Sequence, residues 1–205
     1  MISLRDRLDR LVLLELLSSD YQKLAELHSH EGTYRGAITA ENELLAKLTA
    51  IADNFLKDAI SFDEAQQQAK AALETNLAAV LEIVESKIEQ PPVGYLITRL
   101  SARLPALLDD FGRMLQEAEH EEAAIANRIS MLAHQATWRT LNQGITITLQ
   151  IQPPITFDGT LIWTTADDER VCEECEENEG EYGIEQIDEL PDIPVHPFCR
   201  CFWDF

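Results

Sequence analysis

The sequence predicts an α+β protein: a mainly α-helical region, either a bundle or an extended hairpin, followed by a small β-containing unit. Three observations predict it. Apolar residues recur at helical spacing from Leu4 to about Asn142. At Gly144 the period changes from 3.6 to 2. All four cysteines fall within the last 34 of 205 residues. The expected division is a helical region over residues 1–143 and a β-containing unit over 144–205.

In the helical region Leu8, Leu11, Val12, Leu14, Leu16, Leu24 and Leu27 mark a first amphipathic segment. Gly32 and Gly36 bracket a break, and Thr39 caps a second helix carrying Leu44, Leu45, Leu48, Ile51, Phe55 and Leu56. A third helix begins near Asp63, carries Leu73, Leu77, Val80, Leu81 and Val84, and is ended by Pro91 and Pro92. The last stretch runs from about Tyr95, kinked or restarted at Pro105, to Asn142, with Gly144 as its C-terminal cap. His28, His30, His120 and His134 do not form the His-Glu-x-x-His pattern that places two imidazoles on one helical face, and are read as solvated or hydrogen-bonded. Asp109 and Asp110 are adjacent, so on a helix they diverge, and both are read as surface residues.

Beyond Gly144, Ile145, Ile147, Leu149 and Ile151 alternate with Thr146, Thr148, Gln150 and Gln152, the pattern of a half-buried strand. Pro153 and Pro154 end it, Asp158-Gly159 marks a tight turn, and Thr160–Thr164 reads as a second strand. A unit of about 60 residues builds little core unaided and gains from a covalent or metal clip.

Composition excludes several functions. Apolar residues make up 45% of the chain, too many for a disordered one. Sixteen Lys and Arg stand against 37 Asp and Glu, a net charge of −21, which disfavours binding to a bare phosphate backbone. No run approaches the roughly 20 apolar residues of a membrane span. Arg5, Asp6 and Arg7 are not followed by a long apolar segment, so no secretory leader is expected, which favours a reducing compartment.

Cys172-x-x-Cys175 is one half of a metal-ligand pattern, because the turn between the sulfurs lets both face one ion. His196-Pro-Phe-Cys199-Arg-Cys201 is the other half. Cys199 and Cys201 share a side of an extended chain, and His196 reaches the same point if the chain turns. Five candidates, Cys172, Cys175, His196, Cys199 and Cys201, are thus offered for the four positions of a structural zinc, with disulfides or free buried thiols as the alternative. A thioredoxin-like redox role does not fit, since Cys172-x-x-Cys175 does not lie between a strand and a helix. From Asp167 to Asp192 there are thirteen acidic residues and one base, Arg170. That stretch lacks the order of a calcium loop and reads as a solvated acidic loop, or as a surface for a basic partner. Thiols beside so many carboxylates resist ionisation unless a cation is present, which weighs against nucleophilic cysteine catalysis.

The run from Trp163 through Thr165 and the acidic turn to Cys172-x-x-Cys175, followed by Pro194-Val195-His196-Pro197-Phe198-Cys199-Arg200-Cys201, resembles the C-terminal signature of a bacteriophage family. This is the minor head, or head-morphogenesis, protein family of tailed phages typified by protein F of phage Mu. The resemblance covers about the last 45 residues. It implies a minor structural protein of the virion head, made in the host bacterial cytoplasm, acting in head morphogenesis or DNA delivery near the portal. The implied partners are the portal or major capsid protein, with no membrane and no sequence-specific nucleic acid; homo-oligomerisation stays open. Some members carry toxin or enzymatic domains. This chain is shorter than many and ends four residues after Cys201, so no enzymatic activity is expected of it. The alternative reading is a cellular zinc-clipped acidic adaptor that binds a basic protein.

Overall fold

The structure, a computed structural model, describes residues 31–88, 91–117, 122–165, 172–196, 199 and 201–205. The expected first amphipathic segment and His28, His30 and His120 lie outside the described residues.

The protein is α+β and mainly helical. Among the described residues the bundle is built from α1 (Glu31–Leu56), α2 (Phe62–Lys87), α3 (Val93–Ser101), α4 (Leu104–Glu117) and α5 (Glu122–Ile151). The long helices α1, α2 and α5 pack on one another, α4 covers α2 and α5, and α3 lies on α5 and α2. Leu44, Leu48, Leu73, Val80, Val84, Ile129 and Leu141 fill the space between them. A buried polar crossing fixes their register: the Asn76 amide donates to the Ala40 carbonyl at 3.1 Å and to Thr137 Oγ1 at 3.0 Å. Among the described residues no helix is long and apolar enough to cross a membrane.

Local signals explain some of these boundaries. Ser61 caps α2 in a capping box, its hydroxyl accepting from the Glu64 backbone N–H while the Glu64 carboxylate accepts from the Ser61 backbone N–H. The restart expected at Pro105 occurs at residues 102–103, and Pro105 sits in the first turn of α4, where a missing N–H costs nothing.

Two expectations are corrected. The break at Gly32 and Gly36 does not occur, since α1 runs through both, and Thr39 is interior, its hydroxyl donating back to the Arg35 carbonyl. The strand expected over residues 145–152 is the end of helix α5. Trp138, Leu141, Asn142, Ile145, Thr148 and Leu149 are all buried and recur at steps of three and four, which prolongs the helical stripe through the alternating run. The Thr148 hydroxyl donates to the Gly144 carbonyl at 2.7 Å, turning a β-branched residue to helical use. The helix therefore passes through the expected boundary at residue 143.

Gly144 is no cap. A Cβ there would lie 2.9 Å from Val84 Cγ2, so the glycine lets α5 approach α2. Gly36 does the same between α1 and Ile83 of α2, at 3.0 Å.

The strand expected at Thr160–Thr164 is present as β1, and the Asp158 side chain accepts from the Thr160 backbone N–H in the preceding turn. It is the centre of a three-stranded antiparallel sheet, between β2 (Gly180–Gly183) and β3 (Phe202–Asp204). Trp163 pairs with Trp203 in register, their rings edge to face at 5.1 Å, and Tyr182 meets Trp203 at 6.2 Å. Asn142 ties this sheet to the helices: its amide donates to the Trp138 carbonyl, and its Oδ1 accepts from the Trp203 backbone N–H at 2.9 Å. Arg139 adds an ion pair to Asp192 at 2.6 Å.

Gly144→Ala is expected to destabilise the protein by about 1–2 kcal/mol, because overpacking against Val84 outweighs the roughly 1 kcal/mol gain in helix propensity. In a Val84→Ala background the same substitution should be neutral or stabilising. Thermal unfolding of the four proteins of this double-mutant cycle checks it.

Candidate metal centre

Each half-site is built by a tight turn that closes three residues apart. The Cys175 backbone N–H donates to the Cys172 carbonyl at 2.9 Å, and the Cys199 N–H donates to the His196 carbonyl at 3.1 Å. A closed turn of this length puts the first and fourth side chains on the same side, which is why Cys-x-x-Cys and His-x-x-Cys spacings serve one centre. Cys172 also caps the short helix α6 (Glu173–Glu177), its sulfur accepting from the Cys175 N–H. Cys201 lies immediately before β3, so the central sheet fixes it.

The two halves converge. His196 Nε2 lies 3.1 Å from Cys172 Sγ and 3.2 Å from Cys175 Sγ, and Cys175 Sγ lies 3.8 Å from Cys199 Sγ. Ligand atoms of Cys172, Cys175 and His196 all fall within 4.8 Å of one another, and so do those of Cys175, Cys199 and Cys201. All five predicted candidates are thus brought together, with Cys175 common to both groups. An edge of 3.8 Å between sulfurs matches the roughly 3.8 Å that tetrahedral Zn–S bonds of about 2.3 Å require. The cluster is close enough to hold a metal ion, and its sulfur and imidazole donors are compatible with zinc. All four cysteines are free thiols, and the sulfur separation is far from the ~2.05 Å of a disulfide.

Proton balance points the same way. Burial pushes the Cys175 thiol up to about 12. The hydrogen bond from Cys201 draws Cys199 down to about 5, while Cys201, which gives that bond and is itself buried, is raised. Without a cation the buried group keeps protons on two of these sulfurs. A divalent ion makes thiolate the favoured state at each ligand, and its binding releases those protons.

The acidic stretch is only partly as expected. Its described carboxylates, from Glu173 to Asp192, are solvated. Most stand on α6, on the edge strand β2 and on a 3-10 helix, Ile184–Glu189, while Glu179 and Asp192 lie in the connecting segments.

Sequence reasoning missed the support beneath the centre. Glu41 on α1 and His134 and Trp138 on α5 form a buried cluster, with Glu41 and His134 no more than 1% exposed. His134 Nδ1 faces Glu41 Oε1 at 3.1 Å, and the Trp138 indole N–H donates to Glu41 Oε2 at 2.6 Å. His134 Nε2 faces the backbone carbonyl of Cys199 at 2.8 Å. Burial by itself would lower the His134 pKa, but the Glu41 carboxylate and the Cys199 carbonyl outweigh it and raise it. The reading of His134 as hydrogen-bonded fits this position. The available signal was that Glu41 falls on the apolar stripe of α1, between Ala37 and Leu44.

No protein-family model matches this chain, and neither a curated protein nor a solved structure is significantly similar to it.

Cys175→Ser removes the shared ligand. It is expected to abolish metal retention and to melt the C-terminal unit, a loss on the order of several kcal/mol, while leaving the helices folded. Near-UV circular dichroism of the Trp163–Trp203 pair should collapse with little change in the far-UV helical signal.

Proposed function

We propose that the chain is a structural, non-enzymatic minor protein of a tailed-phage head, acting in head assembly or DNA delivery near the portal, with a zinc-clipped C-terminal unit. The observation that carries this reading is the convergence of Cys172, Cys175, His196, Cys199 and Cys201, the residues on which the resemblance rests. The other described parts of that signature have structural roles in the same unit. Trp163 is buried against Trp203, and the Thr165 hydroxyl donates to Glu179, between the two half-sites. Four sulfur and nitrogen ligands complete a tetrahedral shell and leave no position for substrate, which suits a structural zinc.

The charge supports contact with protein rather than with the packaged genome. A chain at −21 is repelled by bare DNA. Among the described residues the apolar stripes of the helices are packed into the chain's own core. The exposed carboxylates on α6, β2 and the 3-10 helix offer a surface that fits a basic face on the portal or capsid.

Mass spectrometry of particles released from cells carrying this gene tests the proposal. The chain should be present in few copies and should leave the heads as salt is raised, because exposed charges are screened beyond a Debye length of about 8 Å at physiological ionic strength. Its absence from mature heads and from assembly intermediates alike would leave the cellular acidic adaptor as the reading that stands.

A further inference from the structure

The metal-binding loop is gripped from below as well as closed from within. Cys199 is fixed at both ends of its backbone: its N–H is used in the turn to His196, and its carbonyl is met by His134. That carbonyl is buried and lies outside the strand ladder, which begins at Phe202, so it needs a partner from elsewhere. The partner is an imidazole in the middle of α5, held in place by a carboxylate from α1. Both groups facing the ring are acceptors, so its orientation is determined on both sides. A leucine at either position would fill the core at less cost in desolvation, and the polar pair stands where it meets the backbone of a candidate ligand.

We propose that Glu41, His134 and Trp138 are positioning residues for the metal site: they set the Cys199 peptide, and with it the direction of its sulfur, so that metal affinity depends on the packing of α1 against α5. This rests on the zinc-clip reading above and extends it to residues outside the signature. By linkage the dependence runs both ways, and metal in the clip steadies the α1–α5 contact by the same factor. Groups that orient ligands from behind change metal affinity by about 10–100-fold when removed.

The test uses the full chain and Co²⁺ or Zn²⁺ alone, in competition with a chromophoric chelator. His134→Phe should lower affinity about 10–100-fold. It should also shift the cobalt–thiolate absorption while the helical signal persists. Glu41→Gln should stay close to the parent protein, since its amide can accept from Trp138, donate to His134 Nδ1 and leave Nε2–H for Cys199; Glu41→Ala should fall with His134→Phe. Met114→Ala, a core truncation on α4 away from the contact of α1 with α5, should lower stability without moving affinity or spectrum. Parental affinity and spectrum in His134→Phe overturn the inference. If that variant does not fold, hydrogen exchange of the parent protein decides. Removing metal should reduce amide protection over residues 130–138 of α5 as well as in the clip, and unchanged protection there overturns it. A parent chain that binds neither ion overturns the zinc clip and this inference together, whereas metal binding indifferent to the variants overturns this inference alone.

Discussion

Buried thiols next to one another are tolerated only when something settles their protons, and in this protein that constraint organises the whole C-terminal unit. Cys175, Cys199 and Cys201 are all buried within 4.8 Å of one another, and His196 and Cys172 close the outer side. The three-stranded sheet is too small to hold such a cluster by apolar burial, and its centre is a single tryptophan pair. A divalent cation held by these residues would resolve both difficulties at once, by stabilising thiolates that burial opposes and by joining two chain segments that lie more than twenty residues apart in sequence. The exposed carboxylates between those segments add a negative field that would favour the same ion.

The C-terminal unit and the helices are joined at three levels along α5. Arg139 reaches Asp192, Asn142 accepts from the backbone of β3, and His134 meets the Cys199 carbonyl. The exposed ion pair contributes little, in the range of 0–1 kcal/mol. The other two contacts satisfy buried backbone groups and cannot be dropped without leaving an unpaired donor or acceptor. Helix α5 is thus both a core member of the bundle and the platform on which the small unit is assembled.

What was legible in the sequence was what is local. The two ligand half-sites were readable because each is closed by its own three-residue turn, and β1 was readable from its apolar run after Asp158-Gly159. The helical character of α1 to α4, and of α5 as far as Asn142, followed from their period. The run Ile145–Ile151 misled because seven residues fit a strand and a helix equally well, and only its continuity with Trp138 and Leu141 decides for the helix. Gly144 looked like a cap because a glycine required by a neighbouring helix carries the same letter as one required by a left-handed turn. Strands β2 and β3 were not legible: Gly180–Gly183 lies in an acidic run with no apolar alternation, and Phe202–Asp204 has only three residues. Glu41 and His134 meet across 93 positions of sequence, a pairing that no local pattern announces.

The most direct test of this account is zinc K-edge X-ray absorption, with metal analysis, on protein purified without chelator. One zinc per chain with sulfur-dominated tetrahedral ligation and Zn–S distances of about 2.3 Å is the predicted result. Less than a tenth of an equivalent of any transition metal, or oxygen ligands alone, would contradict it.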